Sequence, residues 1–122
     1  ECDIYGHLNN ANYLQLLEAA RSEALYEMNL AQSDLQKKGI QLFVHYGEIS
    51  FIKAIDHDEV ITVKTCFTEI NRIKGKWHQE IYNATNEICF TADITIVFAS
   101  EGKAKRLPVE VFEQLLPYIE TK

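Results

Sequence analysis

The sequence predicts an α+β fold in which a curved antiparallel sheet wraps around one long central helix. One strongly apolar segment with helical spacing lies near the N-terminus, and four segments with strand-like alternation follow it. Short turns join these strands, which is typical of antiparallel neighbours. Because the helix is apolar on most sides, we expect the sheet to cover most of it. The length of 122 residues predicts a single domain over residues 1–122.

The central helix is predicted over residues 12–28. Its apolar residues recur at steps of three and four, at Tyr13, Leu16, Leu17, Ala20, Ala24 and Met28. Leu14 and Leu25 widen this stripe, so we expect the helix to be buried around nearly its whole circumference. Asn9 and Asn10 precede it and are favoured residues for a helix N-cap.

A short helical turn is predicted at residues 33–38, with Ser33 as its cap and Gly39 as its stop. Residues 41–52 then alternate as a long strand. The first half of this strand is apolar on both faces, which predicts a central position in the sheet. The aromatic residues Phe43 and Phe51 are accordingly predicted to lie in the core.

The remaining elements follow in regular order. Residues 59–70 and 74–82 are predicted to be strands, and residues 83–86 form a hairpin turn. A fourth strand is predicted over residues 87–100. Pro108 starts a short terminal helix, because proline is favoured in the first helical turn. The sequence begins at Glu1 within this pattern, so we expect a strand of about five to ten residues to precede it.

The composition restricts the possible partners. The net charge of −6 argues against nucleic acid or an anionic membrane as the main partner. No apolar run approaches the roughly 18 residues of a membrane-spanning helix, and no secretory signal pattern is present. The odd number of cysteines predicts free thiols in a reducing compartment and therefore a cytoplasmic protein. Neither the three cysteines nor the four histidines have metal-ligand spacing, so no metal or other cofactor is predicted.

The polar opening segment, residues 3–13, is the best candidate for chemistry. Asp3 lies a short way upstream of the predicted helix start, where free backbone N–H groups and a partial positive charge are expected. Such donors stabilise an oxyanion, and a nearby carboxylate supplies a base or a nucleophile. Together they suit attack on a carbonyl. Alternatively, Asp3 and the asparagines only cap the helix and shape a turn.

Two further residues near this segment each have two interpretations. His7 could act as a general base or bind substrate, or it could be an ordinary residue of a glycine-containing turn. Glu18 could be a second functional carboxylate. Alternatively, Glu18 forms an ion pair with Arg21, three residues further along the helix.

A basic cluster lies at the turn between the second and third predicted strands. It consists of Arg72, Lys74 and Lys76. In an acidic protein, a local basic turn is suited to the phosphates of a nucleotide-bearing substrate. The alternative is a solvated surface turn.

The motif of the opening segment resembles a known family. The residues DIYGHLNNANY, from Asp3 to Tyr13, are followed by LEAAR, from Leu17 to Arg21. This combination resembles the opening of the hot-dog-fold acyl-CoA thioesterases, in the branch related to 4-hydroxybenzoyl-CoA thioesterase. The later segments IDHDEVITV and ITIVFASEGKAKRLPVEV resemble the same family. Similarity extends over nearly the whole chain.

The resemblance implies a hydrolase that cleaves acyl-CoA to a carboxylic acid and CoA. It implies that Asp3 is the catalytic base or nucleophile and that Gly6 lies in the loop that admits the thioester. The oxyanion donors are then backbone amides near Asn9 and Asn10. His7, Asn9, Tyr13, Glu18 and the basic cluster are expected to contact substrate.

The resemblance also implies an assembly, and it leaves the carrier and the reaction partly open. Members of this family pair their sheets edge to edge as homodimers, often doubled to homotetramers, with active sites at the subunit boundary. The GHLNN segment also resembles acyl-carrier-protein thioesterases of the same fold, so the carrier stays open. A non-catalytic module that binds an acyl or aromatic ligand is also compatible with this fold, as is an acyltransfer or dehydratase-like enzyme.

Overall fold

The computed structural model describes residues 2–7, 13–30, 32–55 and 59–119, with only the backbone of residues 2–7 and 32–33. Its strands are β1 Cys2–His7, β2 Gln41–Phe51, β3 Val60–Ile70, β4 Lys74–Tyr82, β5 Ile88–Ser100 and β6 Lys103–Ala104. Its helices are α1 Tyr13–Glu27, α2 Gln32–Lys37 and α3 Val109–Leu115, the last followed by a 3-10 turn at Leu116–Tyr118.

The strands form one antiparallel sheet in the order β1-β3-β4-β5-β2, with the short β6 paired to β5. Alternate residues of β3, β4 and β5 are buried, as expected for a sheet with one face against the core. That face and the buried side of α1 share one apolar cluster, which includes Leu17, Ala20, Trp77, Ile81 and Phe90. The predicted α+β architecture, a curved antiparallel sheet packed on a long helix, is confirmed.

The position of β2 differs from the prediction. Among the residues that the structure describes, this strand pairs only with β5 and lies at the edge of the sheet. Nearly all of its residues are exposed. Phe43 is 47% exposed and Phe51 is 71% exposed, so they are not core residues. The prediction of a central strand was wrong. A strand that is apolar on both faces can be covered by neighbouring elements of its own chain or by the surface of another molecule, and the sequence pattern is the same in both cases.

The central helix is buried on one side only. Leu17 and Ala20 are fully buried, whereas Leu14 is 56% and Tyr26 is 67% exposed. The prediction that nearly the whole circumference is buried was therefore wrong for the single chain. One sheet can cover only the stripe of the helix that faces it.

The opening segment begins as a strand rather than a turn. In β1, Gly6 lies opposite Ile61 and His7 lies opposite Val60 of β3. The expectation that Gly6 lies in a loop is therefore corrected. The reason is that β3 would otherwise expose a row of unpaired backbone groups, which β1 satisfies.

Candidate active site

An aromatic cluster marks the N-terminal end of α1. The ring of Tyr13 stacks on the ring of Phe90, with centroids 5.1 Å apart and planes at 4°. Phe51 packs edge-on against both rings, at 5.5 Å from Tyr13 and 4.9 Å from Phe90. Phe90 is buried, whereas Phe51 faces solvent for most of its surface. The start of the helix therefore adjoins an apolar surface in which the ring of Phe51 is accessible to solvent.

A buried polar connection fixes the next turn of α1 on the sheet. Gln79 is fully buried, and its Nε2 donates to the carbonyl of Leu17 at 2.9 Å and to Oγ1 of Thr65 at 3.2 Å. The guanidinium of Arg21 donates to Oε1 of Gln79 at 2.8 Å. Burial lowers the pKa of Arg21, and the negative charge of the exposed Glu18 opposes this shift. Arg21 thus hydrogen-bonds to Gln79, and the contacts described for these residues include no ion pair with Glu18.

The strand register places the backbone of Asp3 level with the first turn of α1. Ile4 shares a row of the sheet with Phe90, on which the first residue of the helix stacks. Cys2 shares a row with Gln79, which holds the helix one turn further on. Asp3 lies between these two rows. The backbone of Asp3 and the start of α1 therefore lie at a similar level along the strand direction, with β1 three strands away from β5 in the sheet.

The other predicted residues of the opening segment divide into two groups. Gly6 and His7 form the end of β1, three and four residues beyond Asp3. Asn9 and Asn10 lie outside the described residues. The catalytic and substrate-binding roles of all these residues stay predictions.

The basic cluster is divided between two environments. Arg72 donates from Nε to the carbonyl of Leu107 at 2.8 Å, and the Leu107 amide donates back to the Arg72 carbonyl at 2.7 Å. Lys74 and Lys76 instead line a surface pocket of about 220 Å³ together with Glu69. The Lys76 ammonium lies 3.4 Å from a carboxylate oxygen of Glu69. Arg72 therefore holds the segment around Leu107 against the turn between β3 and β4, while the two lysines remain accessible to solvent.

The basic cluster and the start of α1 lie at opposite ends of the sheet. Lys74 pairs with Val97 of β5, whereas the aromatic cluster contacts β5 at Phe90. Seven residues of strand span roughly 23 Å at about 3.3 Å per residue. Within one chain, only an extended ligand could reach both places.

A second polar network covers the outer face of β4. The two ring nitrogens of His78 lie 2.9 Å from Asp93 and 3.0 Å from Glu80, and Tyr82 donates to Glu80 at 2.6 Å. Burial raises the pKa of Glu80, but the hydrogen bonds from Tyr82 and His78 outweigh burial and lower it. Both ring nitrogens of His78 are therefore engaged within this network.

The described part of the chain contains neither a metal site nor a membrane-spanning helix. No group of three or more histidine, cysteine, aspartate or glutamate residues there is arranged to hold a metal ion. No helix among these residues is long and apolar enough to cross a membrane.

Comparison with known proteins identifies the family. The model of the thioesterase-like superfamily matches residues 1–115. The chain belongs to this superfamily. The predicted family, the hot-dog fold and the activity class of thioester hydrolase are thereby confirmed.

Comparison with individual proteins shows the extent of the similarity. A candidate esterase of Synechocystis sp. is 33% identical over 118 residues, which cover 93% of this chain and 71% of that protein. A candidate acyl-CoA thioesterase of Bacillus subtilis, YneP, is 30% identical over 92 residues, covering 75% and 67%. The crystal structure of a DHNA-CoA thioesterase from Staphylococcus aureus has a TM-score of 0.83 at 22% identity, covering 95% of this chain and 87% of that one.

Proposed function

We propose that this thioesterase hydrolyses an acyl-CoA to a carboxylic acid and CoA. Asp3 acts as the general base or nucleophile, and backbone amides at the start of α1 form the oxyanion hole. The observation that carries this proposal is the position of Asp3 level with the first turn of α1. The names of the relatives support CoA as the carrier.

The chemistry follows from this arrangement. With Asp3 as base, it takes a proton from water, whose oxygen attacks the thioester carbonyl. The carbonyl oxygen gains negative charge, which the partial positive charge of the helix start stabilises. The carbon–sulfur bond then breaks, and the CoA sulfur takes up the proton that Asp3 accepted from water, which regenerates the carboxylate. Loss of one oxyanion donor typically costs about 3–4 kcal/mol of activation free energy.

The surroundings of the helix start suggest how the substrate lies. Tyr13 and the exposed Phe51 offer an apolar surface to the acyl group. Lys74 and Lys76, in their pocket at the far end of the sheet, suit the phosphates of an extended CoA molecule. His7, Asn9 and Glu18 stay candidate substrate contacts.

The functional unit is proposed to be a homodimer formed through β2. An exposed strand of 11 residues with an open backbone edge is a template for pairing with another strand. Its exposed apolar side chains are typical of an interface. These are Phe43, Val44, Tyr46 and Ile49. A second copy would satisfy the edge and cover the apolar surface, and two such dimers could then form the predicted tetramer.

Val44→Lys should convert the dimer to a monomer, because a lysine on an edge strand opposes pairing with another strand. The mass in solution, measured by sedimentation or light scattering, checks this result. Val109→Lys is the matched control, since Val44 is 58% and Val109 is 48% exposed, and Val109 lies on α3. A Val44→Lys protein that keeps the mass of the parent would contradict pairing through β2.

A thiol-release assay tests the proposed reaction directly. We expect release of CoA from at least one member of a panel of benzoyl-, short-, medium- and long-chain acyl-CoAs. Acyl groups carried by acyl carrier protein, assayed in parallel, distinguish the two carriers. Binding of these ligands without release from any of them would instead favour a non-catalytic module.

A further inference from the structure

A small cavity lies beside the C-terminal end of β5, apart from the site described above. Its lining residues include the exposed, positively charged Lys38, Lys105 and Arg106. They also include the buried apolar residues Ile40, Phe98 and Leu107. Its volume is about 30 Å³. A cavity needs roughly 10–15 Å³ to hold one water molecule. The cavity is therefore large enough for a group of a few atoms and too small for a nucleotide base.

The charges around this cavity are unbalanced. Its described lining includes three cationic residues and no acidic one. Within the described structure, none of the three cations forms an ion pair with a carboxylate. The whole chain has 18 acidic and 12 basic residues, so a cluster of positive charge contrasts with its net negative charge. Like charges around one cavity repel each other, and an anion would relieve this repulsion.

The backbone that carries these residues is held in place. The Lys105 amide donates to the carbonyl of Phe98 at 3.0 Å. Leu107 is fastened on its other side by the reciprocal hydrogen bonds with Arg72. Among the other lining residues, Gly39 ends α2 with a φ of +75° and follows Lys38 directly. Preformed backbone geometry reduces the entropy cost of binding a ligand.

We propose that this cavity binds a phosphate group. A compact dianion matches the volume of the cavity, and lysine and arginine are the usual partners of phosphate. The group could belong to the nucleotide part of CoA or to a separate phosphorylated small molecule. The site goes beyond the proposed hydrolysis, because it requires neither Asp3 nor a thioester.

Calorimetric titration with inorganic pyrophosphate, one of whose phosphate groups would occupy the cavity, tests the site in the full chain. The double variant Lys105→Gln/Arg106→Gln should bind pyrophosphate at least about tenfold more weakly than the parent, because two charged donors are lost. Lys103→Gln is the matched control, since Lys103 is exposed on the same segment and does not line the cavity. Its affinity should stay within about twofold of the parent, because Lys103 does not line the cavity and a single solvent-exposed charge contributes little. No binding to the parent, or equal affinities in all three proteins, would overturn the proposal.

A second titration identifies the source of the phosphate. The parent and the double variant are compared with CoA and with dephospho-CoA, which lacks the 3′-phosphate. If the preference for CoA disappears in the double variant, the cavity holds that phosphate of the carrier. If pyrophosphate affinity falls while the CoA preference persists, the cavity serves a separate phosphorylated molecule. Both titrations are independent of turnover, so an inactive enzyme would leave this proposal standing.

Discussion

Asp3→Asn should lower the turnover number for thioester hydrolysis by about a hundredfold or more, because the amide cannot accept the proton of water or act as a nucleophile. The substitution preserves the size of the side chain, and Asp3 lies on an edge strand whose backbone pairing does not depend on it. We therefore expect unchanged folding. Steady-state kinetics on a substrate that the parent hydrolyses, together with a denaturation curve, check both expectations.

The matched control for this substitution is Asp34→Asn. Asp34 is an exposed aspartate in the first turn of α2, away from the aromatic cluster that marks the start of α1. Turnover by this control should equal that of the parent. Near-parental turnover by Asp3→Asn would remove Asp3 from the mechanism, whatever activity the protein has. A loss shared equally by both variants would point to a general effect of charge.

The elements that local sequence determines were predicted well. β4 has the predicted bounds, because its alternation of apolar and polar residues is regular and turns bound it on both sides. Gly39 ends α2 as predicted, since its positive φ is a conformation that glycine adopts without strain. In both places, the signal lies within a few residues of the feature that it predicts.

Features that depend on a second surface could not be predicted in the same way. The apolar residues of β2 carry the same pattern whether a chain covers them with its own sheet or with another copy. The exposure of Phe43 and Phe51 can therefore be determined only from the folded structure. Leu14 is a similar case, because it lies on the side of α1 that the sheet does not cover.

The candidate site was predictable only in part. Asp3 was found through a motif, whereas the role of Gln79 depends on a contact between residues 62 positions apart. A signal for Gln79 was nevertheless present, because it is the polar residue on the apolar face of β4, between Trp77 and Ile81. No sequence pattern predicts that Lys38 and Arg106 line the same cavity, because only folding brings these two residues together.

Gln79→Met should lower the free energy of unfolding by about 2–3 kcal/mol. Methionine fills a similar volume, but it leaves the part-buried guanidinium of Arg21 without its acceptor, and unmade hydrogen bonds to charged groups are costly. Urea denaturation measures this loss. Gln36→Met is the matched control at an exposed position of α2, and its effect should stay within about 0.5 kcal/mol.

The double variant Arg21→Met/Gln79→Met separates the hydrogen bond from the packing. Because the uncompensated charge is removed together with its partner, the double variant should be more stable than the sum of the single losses predicts. We expect a coupling of about 1–2 kcal/mol between the two residues. Losses that simply add would show that the Arg21–Gln79 contact contributes little to stability.

The same substitution also tests how α1 is positioned for catalysis. Gln79 hydrogen-bonds to Leu17, which lies one turn after the start of α1. The start of α1 is at a similar level along the strands to Asp3. A displacement of about 1 Å at a reacting centre can cost roughly a hundredfold in rate. Gln79→Met should therefore reduce the turnover number even at a temperature at which it is fully folded. Parental turnover under those conditions would mean that the connection stabilises the fold without positioning the helix start.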